Sequence, residues 1–180
     1  TQSVVEHVFG CLLHLTHSLG LYARDVRDGA WSQAENFCLI THPICELSSM
    51  TLGLVGYGEL ARGVERIARA FNMEVLVAAR PGSEDVPEGR VSFNEMLARA
   101  DVISLHCPLN DTTRGLFGAE EFARMKDTAA LINTARGRIV NEADLVAKLE
   151  EGEITAYLDV TYPEPPEEGH PFFRLENCIL

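Results

Sequence analysis

The chain is short of what marks a membrane protein, a disulfide scaffold or a nucleic-acid surface. No apolar run in its 180 residues is long enough to span a bilayer. Its five cysteines (Cys11, Cys38, Cys45, Cys107, Cys178) are odd in number and contain no CxxC pair. That argues against a zinc ribbon or disulfide framework and for a reducing cytoplasm. Bases are scarce: 15 Lys and Arg stand against 27 Asp and Glu, a net charge of −12. Nucleic-acid surfaces neutralise phosphates with clustered bases, so nucleic acid is not an expected partner. Any phosphate must be held locally, by backbone N–H groups or a single Arg. Aromatics are few at 7%, yet 46% of residues are hydrophobic, enough core for one domain or for one domain plus a fragment of another. The first residue is Thr1 with nothing resembling a signal peptide, and Asn177-Cys178-Ile179-Leu180 reads as the start of a strand. These features lead to the expectation of a piece of a longer protein.

What is present is an alternation. Val5, Val8, Phe9, Leu12, Leu15 and Leu19 recur at helical spacing within residues 4–21, with Ser3 as a candidate N-cap and enough apolar circumference for burial on more than one side. Residues 27–49 read as loop-rich, with Trp31 as a packing anchor. From Thr51 onward, strand-like runs at 52–55, 75–79, 102–105, 129–133 and 154–160 are separated by helix-like runs at 63–71, 93–100, 119–125 and 141–151. Asn141 and Asp144 form a capping pair at the last helix. Strands buried on both faces and alternating with helices predict an α/β fold, a doubly wound parallel sheet with helices on both faces. Ligands then bind at the carboxyl ends of the strands.

The first strand runs into Gly56-Tyr57-Gly58-Glu59-Leu60-Ala61. In such a GxGxxA turn, Gly56 permits the bend and Gly58 admits a pyrophosphate, while Ala61 lets the helix lie close to the strand; the helix N-terminus faces the phosphates. Methyltransferases and flavoproteins use similar turns, but here the turn joins a strand to a helix and opens the alternating series, the context a Rossmann-type dinucleotide site requires. An NAD site places an acid at the end of the second strand, and this chain has Val77-Ala78-Ala79-Arg80. The cofactor is therefore NAD(H) or NADP(H), and Arg80 in place of an acid tips the balance slightly toward NADP(H).

Four stretches, TLGLVGYGELARGVERIARAFNMEVLV, DVISLHCPLNDTTRGLF, LINTARGRIVNEADL and ITAYLDVTYPEP, together resemble the D-isomer-specific 2-hydroxyacid dehydrogenases, closest to the glycerate dehydrogenase and hydroxypyruvate reductase group. The resemblance implies that Arg136 grips the carboxylate and carbonyl oxygen of a small 2-oxo acid, hydroxypyruvate or glyoxylate being favoured, and that Glu164 hydrogen-bonds a catalytic histidine and raises its pKa. It implies that Asp159 binds the nicotinamide carboxamide, that Cys107, Pro108 and Thr113 line the cofactor, and that Thr134 and Ala135 line the nicotinamide through backbone.

The histidine itself is expected in a Pro-His motif just beyond Leu180; His170 and His106 are expected to be structural. A salt bridge to Asp159 or Glu164 is the alternative role for Arg136, and an exposed loop acid is that for Glu164. His7, Cys11 and His14 share a helix face, but buried packing is favoured over metal and no metal site is expected. Residues 1–180 then form the dinucleotide-binding domain with an interdomain helix (1–26), a substrate domain lies outside the chain, and a homodimer is expected. The alternative is a dinucleotide-sensing corepressor on the same fold.

Overall fold

The computed structural model describes residues 2–83 and 85–180. Six strands, β1 (Thr51–Val55), β2 (Glu74–Val77), β3 (Val102–Leu105), β4 (Ala130–Asn133), β5 (Thr155–Leu158) and β6 (Cys178–Ile179), form one sheet in the order β2-β1-β3-β4-β5-β6. All neighbours are parallel. Because strand side chains alternate between faces, the apolar runs build two cores. Leu52, Leu54, Val102, Ala130, Ile132 and Tyr157 pack beneath α1 (Gln2–Thr16) and α3 (Glu59–Ala70). Ile103, Leu105, Leu131, Ala156 and Leu158 pack beneath α4 (Phe93–Arg99), α5 (Ala119–Phe122) and α6 (Glu142–Glu150). The expected doubly wound sheet is present, with helices on both faces.

Chain order reverses at β1, which has β2 on one side and β3 on the other. Such a switch point opens a crevice at the carboxyl ends of the strands. Gly63 lets α3 lie against α1, since a Cβ there would stand 2.9 Å from Val5 Cγ2. At α6 the Asn141 side chain accepts from Asp144 N–H at 3.4 Å, so this cap was legible. Asp144 does not complete the pair but accepts from Ala119 N–H at 3.1 Å.

The first 50 residues depart most from the sequence reading. The single helix expected over 4–21 is two, α1 and α2 (Leu19–Arg27), broken at Ser18 in the left-handed region (φ 50°). Long-range bonds hold the break: Cys45 N–H donates to Thr16 O at 2.8 Å and Ser18 Oγ to Pro43 O at 2.9 Å. Ser3 lies inside α1 and so is not its cap. Val5, Val8, Phe9, Cys11, Leu12 and Thr16 bury one face, whereas α2 buries no residue. Trp31 is not a buried anchor; it is 54% exposed, its indole N–H bonded only to Phe37 O at 3.0 Å. The expected helix over 119–125 stops at Phe122, and the second and fifth strands end at Val77 and Leu158, shorter than read.

Candidate functional site

The turn after β1 is set by packing as well as by conformation. Gly56 has φ +88°, and a Cβ on it would stand 2.7 Å from Cys107 N and 2.8 Å from Cys107 Cα. The backbone leaving β3 therefore presses on this turn, and only glycine fits both constraints. Gly58 is different: a Cβ there meets nothing within 4 Å, so its surroundings are open. Gly58 is also the N-cap of α3 and provides no side-chain cap. The first-turn amides of α3 thus lack intrahelical acceptors and face outward, a ready anion site. Glu59 stands in that first turn and is exposed. Leu60 reaches the crevice beyond.

That crevice, about 440 Å³, is lined by Leu60, His106, Cys107, Pro108, Thr134, Ala135 and Arg136 among others. Two buried polar atoms among its residues have no hydrogen-bond partner, His106 Nδ1 and Thr134 Oγ1. Unsatisfied buried polar atoms are costly and call for an explanation. A ligand carrying hydroxyl or amide groups supplies one. Burial pushes the His106 imidazole down to about 4, so at neutral pH the ring is uncharged, with Nε2 bonded to the buried Ser104 hydroxyl at 2.9 Å. The free amides of α3, the open space at Gly58 and these orphaned atoms fit a dinucleotide lying across the strand ends.

The loop after β4 is shaped by one buried amide. Asn133 Oδ1 accepts from Ala135 N–H at 3.1 Å, and its Nδ2 donates to Arg136 O at 3.0 Å. Gly137 then passes so near the loop after β5 that a Cβ would stand 2.1 Å from Thr161 O. Arg138 seals the two loops with its guanidinium carbon 3.5 Å from the centre of the Tyr162 ring. The loops carrying Arg136 and Glu164 are thereby locked together. The side chains themselves are exposed: Arg136 donates only to Ala135 O at 2.6 Å, and among the described residues it forms no ion pair. The alternative of a bridge to Asp159 or Glu164 is not seen.

A second cavity of about 460 Å³ includes Thr134, Asp159, Thr161 and Glu164 in its lining, with His7 and Cys11 across from them on α1. Thr134 borders both cavities. His7 Nε2 lies 3.7 Å from Asp159 Oδ1 and 3.8 Å from Cys11 Sγ, while His14 Nδ1 bonds the Tyr157 hydroxyl at 2.9 Å. Burial drives the Tyr157 phenol up to about 12 and also raises the Cys11 thiol, assisted by Asp159. No group of three or more His, Cys, Asp or Glu among the described residues could hold a metal.

The sequence-derived residues fall at the carboxyl ends of the strands in two sets. Leu60, Cys107, Pro108, Thr134, Ala135 and Arg136 line the first cavity, and Asp159 and Glu164 the second. Gly56, Tyr57, Gly58 and Glu59 form the turn beside them, and Arg80 is exposed just past β2. Thr113 borders neither cavity; its buried hydroxyl donates to Pro108 O at 2.6 Å and shapes the loop that carries Pro108. His170 bonds Glu142 Oε1 at 3.0 Å, a structural use. Sequence reasoning gave His106 only a structural role, and no signal pointed to Thr161, which lines the second cavity between Asp159 and Glu164. No helix among the described residues is long and apolar enough to cross a membrane.

Comparison with known proteins agrees with this geometry. Residues 9–180 match the family model described as D-isomer specific 2-hydroxyacid dehydrogenase, NAD binding domain. A putative 2-hydroxyacid dehydrogenase of Haemophilus influenzae is 41% identical over 185 residues, covering 100% of this chain and 59% of the relative. A glycerate dehydrogenase of Methylorubrum extorquens is 40% identical over 172 residues, 94% of this chain and 53% of the relative. Among solved structures, an acyclic imino acid reductase in complex with NADPH and D-Arg superposes with a TM-score of 0.85 at 30% identity, over 99% of this chain and 56% of that one. The chain spans a little more than half the length of these relatives. The corepressor alternative finds no support among them.

Proposed function

The chain belongs to the D-isomer-specific 2-hydroxyacid dehydrogenase family as its NAD(P)-binding domain, and from that premise we propose that the whole protein reduces a small 2-oxo acid to the 2-hydroxy acid. Hydroxypyruvate or glyoxylate is the favoured substrate. When bound, the nicotinamide supplies the hydride. The amides of Glu59 and Leu60 and the open face of Gly58 would hold the diphosphate, and Thr134, Ala135 and Asp159 would hold the nicotinamide end. Arg136 binds the carboxylate with its planar fork and polarises the carbonyl next to it. The new alkoxide needs a proton, which we assign to a histidine beyond Leu180 oriented by Glu164.

The observation that carries this reading is Arg136. Its guanidinium is exposed at the carboxyl end of β4, borders the crevice that Thr134 shares with the cavity of Asp159 and Glu164, and forms no ion pair among the described residues. In the full-length protein, Arg136→Gln is expected to lower kcat/KM for the 2-oxo acid about 1000-fold, as losing a charged donor at a developing oxyanion does. NADPH affinity measured by fluorescence should fall no more than about threefold, since the contact removed is one to substrate. An unaltered kcat/KM would remove Arg136 from the reaction, and absence of 2-oxo acid reduction by the full-length wild type would remove the oxidoreductase reading.

Three finer statements belong to the same proposal. Arg80, with buried Ala79 where an acid would stand, supports NADPH over NADH. A substrate domain supplied by other parts of the protein would close over the exposed Arg136 and Glu164. The segment after α2 exposes Trp31, Phe37, Ile40 and Ile44, with Phe37 91% exposed; so much apolar surface on one arm supports a homodimer. The five free cysteines suit the reducing cytoplasm.

A further inference from the structure

Tyr57 occupies the first variable place of the glycine turn, and its side chain is engaged from three directions. Its hydroxyl donates to the Glu65 carboxylate on α3, which also accepts from Arg69 at 2.7 and 2.9 Å. Over its ring lie two guanidinium groups, Arg62 at 5.9 Å and Arg90 at 5.5 Å from the ring centre. Both distances are within cation–π range. Arg62 comes from the same helix as Glu65, but Arg90 comes from elsewhere in the chain.

Arg90 enters beside the end of β2. Val91 N–H donates to Val77 O at 3.0 Å and Val91 O accepts from Ala79 N–H at 2.8 Å, a parallel bridge that extends the sheet past β2. From there the Arg90 side chain reaches to the ring that follows β1, so it crosses between the carboxyl ends of β2 and β1. In a doubly wound sheet that is the adenosine end of the crevice, where an acid reads the ribose 2′-hydroxyl. Here the place is occupied by buried Ala79.

We infer that Arg90, held in place by the Tyr57 ring, is a specificity-determining residue that binds the 2′-phosphate of the dinucleotide together with Arg80. The inference rests on the dinucleotide reading and adds to it a residue and its support. A 2′-phosphate carries nearly two negative charges and three acceptor oxygens. Two planar guanidinium groups match it, whereas a free 2′-hydroxyl offers them no charge to bind. The aromatic platform restrains Arg90 before the ligand arrives, which reduces the conformational entropy lost on binding. Glu65 and Arg69 fix the Tyr57 hydroxyl and so the orientation of the ring.

The test is direct binding to the full-length protein by calorimetry, with 2′,5′-ADP and ADP as probes, so that turnover is not involved. The wild type is expected to prefer 2′,5′-ADP. Arg90→Gln should lower the ratio of the two affinities about tenfold, and Arg90→Lys, which keeps charge but loses the fork, about threefold. Tyr57→Leu should lower the ratio about threefold, while Tyr57→Phe, which keeps the ring but loses its hydroxyl anchor, should lower it by less than that. A ratio unchanged in Arg90→Gln overturns the inference and leaves the dinucleotide site standing. Equal weakening of both probes also overturns it, because Arg90 would then only prop the loop. Failure of the wild type to bind either probe would remove the dinucleotide reading itself.

Discussion

The turn after β1 and the loop after β4 occupy equivalent places, each at the carboxyl end of an inner strand, yet they are built from different materials. The first offers backbone: free amides at the start of α3, a glycine pressed against Cys107 and a second glycine facing open space. The second offers a side chain, Arg136, which is exposed although the backbone beneath it is fixed by buried Asn133 and by the close passage of Gly137 past Thr161. A diphosphate is bound by dipoles that need no further protein, whereas a small 2-oxo acid requires charged side chains brought together from more than one segment. On the proposed reading, the diphosphate half of the site is therefore supplied by backbone of this chain, and the substrate half by side chains that need partners from elsewhere in the protein.

If both places depend on backbone contact, adding one carbon to either should be costly, and most costly where nothing can move aside. Gly137→Ala is expected to destabilise the fold by about 4 kcal/mol, because its Cβ would collide with backbone that no rotamer change can relieve. Gly56→Ala should cost about 3 kcal/mol, combining a positive φ with a clash against Cys107. Urea unfolding of the full-length variants measures both. A loss below about 1 kcal/mol at Gly137 would mean that the two loops are not locked, and Arg136 would lose its fixed relation to Glu164.

An effect no larger than that at Gly137 separates the two regions by pH. His106 lies between them, half-buried, with its pKa lowered to about 4 by desolvation. Folding favours the neutral ring, so as pH falls the unfolded chain takes up the proton first. The contribution of the neutral ring is complete above the unfolded pKa of about 6.5, declines below it, and is fully lost once pH passes the folded value near 4. The contribution at stake is roughly 3 kcal/mol. His106→Gln should flatten the slope of stability against pH between about 6.5 and 4. An undiminished slope would assign that window to the carboxylates instead.

The sheet, its parallel order and the glycine turn were legible because they rest on local signals: apolar runs of strand length, glycines between a strand and a helix, and the Asn141 cap. The first 50 residues were not. The break at Ser18 is held by bonds to Pro43 and from Cys45, contacts across more than twenty residues that no helical periodicity contains. Trp31, expected as a packing anchor, lies exposed on an arm that the described residues do not cover. In the site, residue types were readable but surroundings were not. Nothing in the pattern TARG tells that the guanidinium is exposed, and nothing in SLHCPL tells that one ring nitrogen is buried and unpaired. Arg90 was invisible, since its meaning comes from a ring 33 positions earlier in the chain.

The smallest expected change in stability is the sharpest test of the comparison. Gly58 has φ −88° and ψ −163°, a conformation open to any residue, and a Cβ there touches nothing. Alanine is a poorer N-cap than glycine, but it also restricts the unfolded chain, and the two effects oppose each other. Gly58→Ala should therefore shift stability by less than about 0.5 kcal/mol, well below either backbone collision. The open space is nevertheless where a diphosphate must approach the α3 amides, so ADP affinity should fall about tenfold on the same substitution. Calorimetric titration and urea unfolding on one preparation read both quantities. If ADP binds this variant as it binds the wild type, the phosphates do not rest against Gly58, and the claim that this half of the site is complete in backbone fails with them.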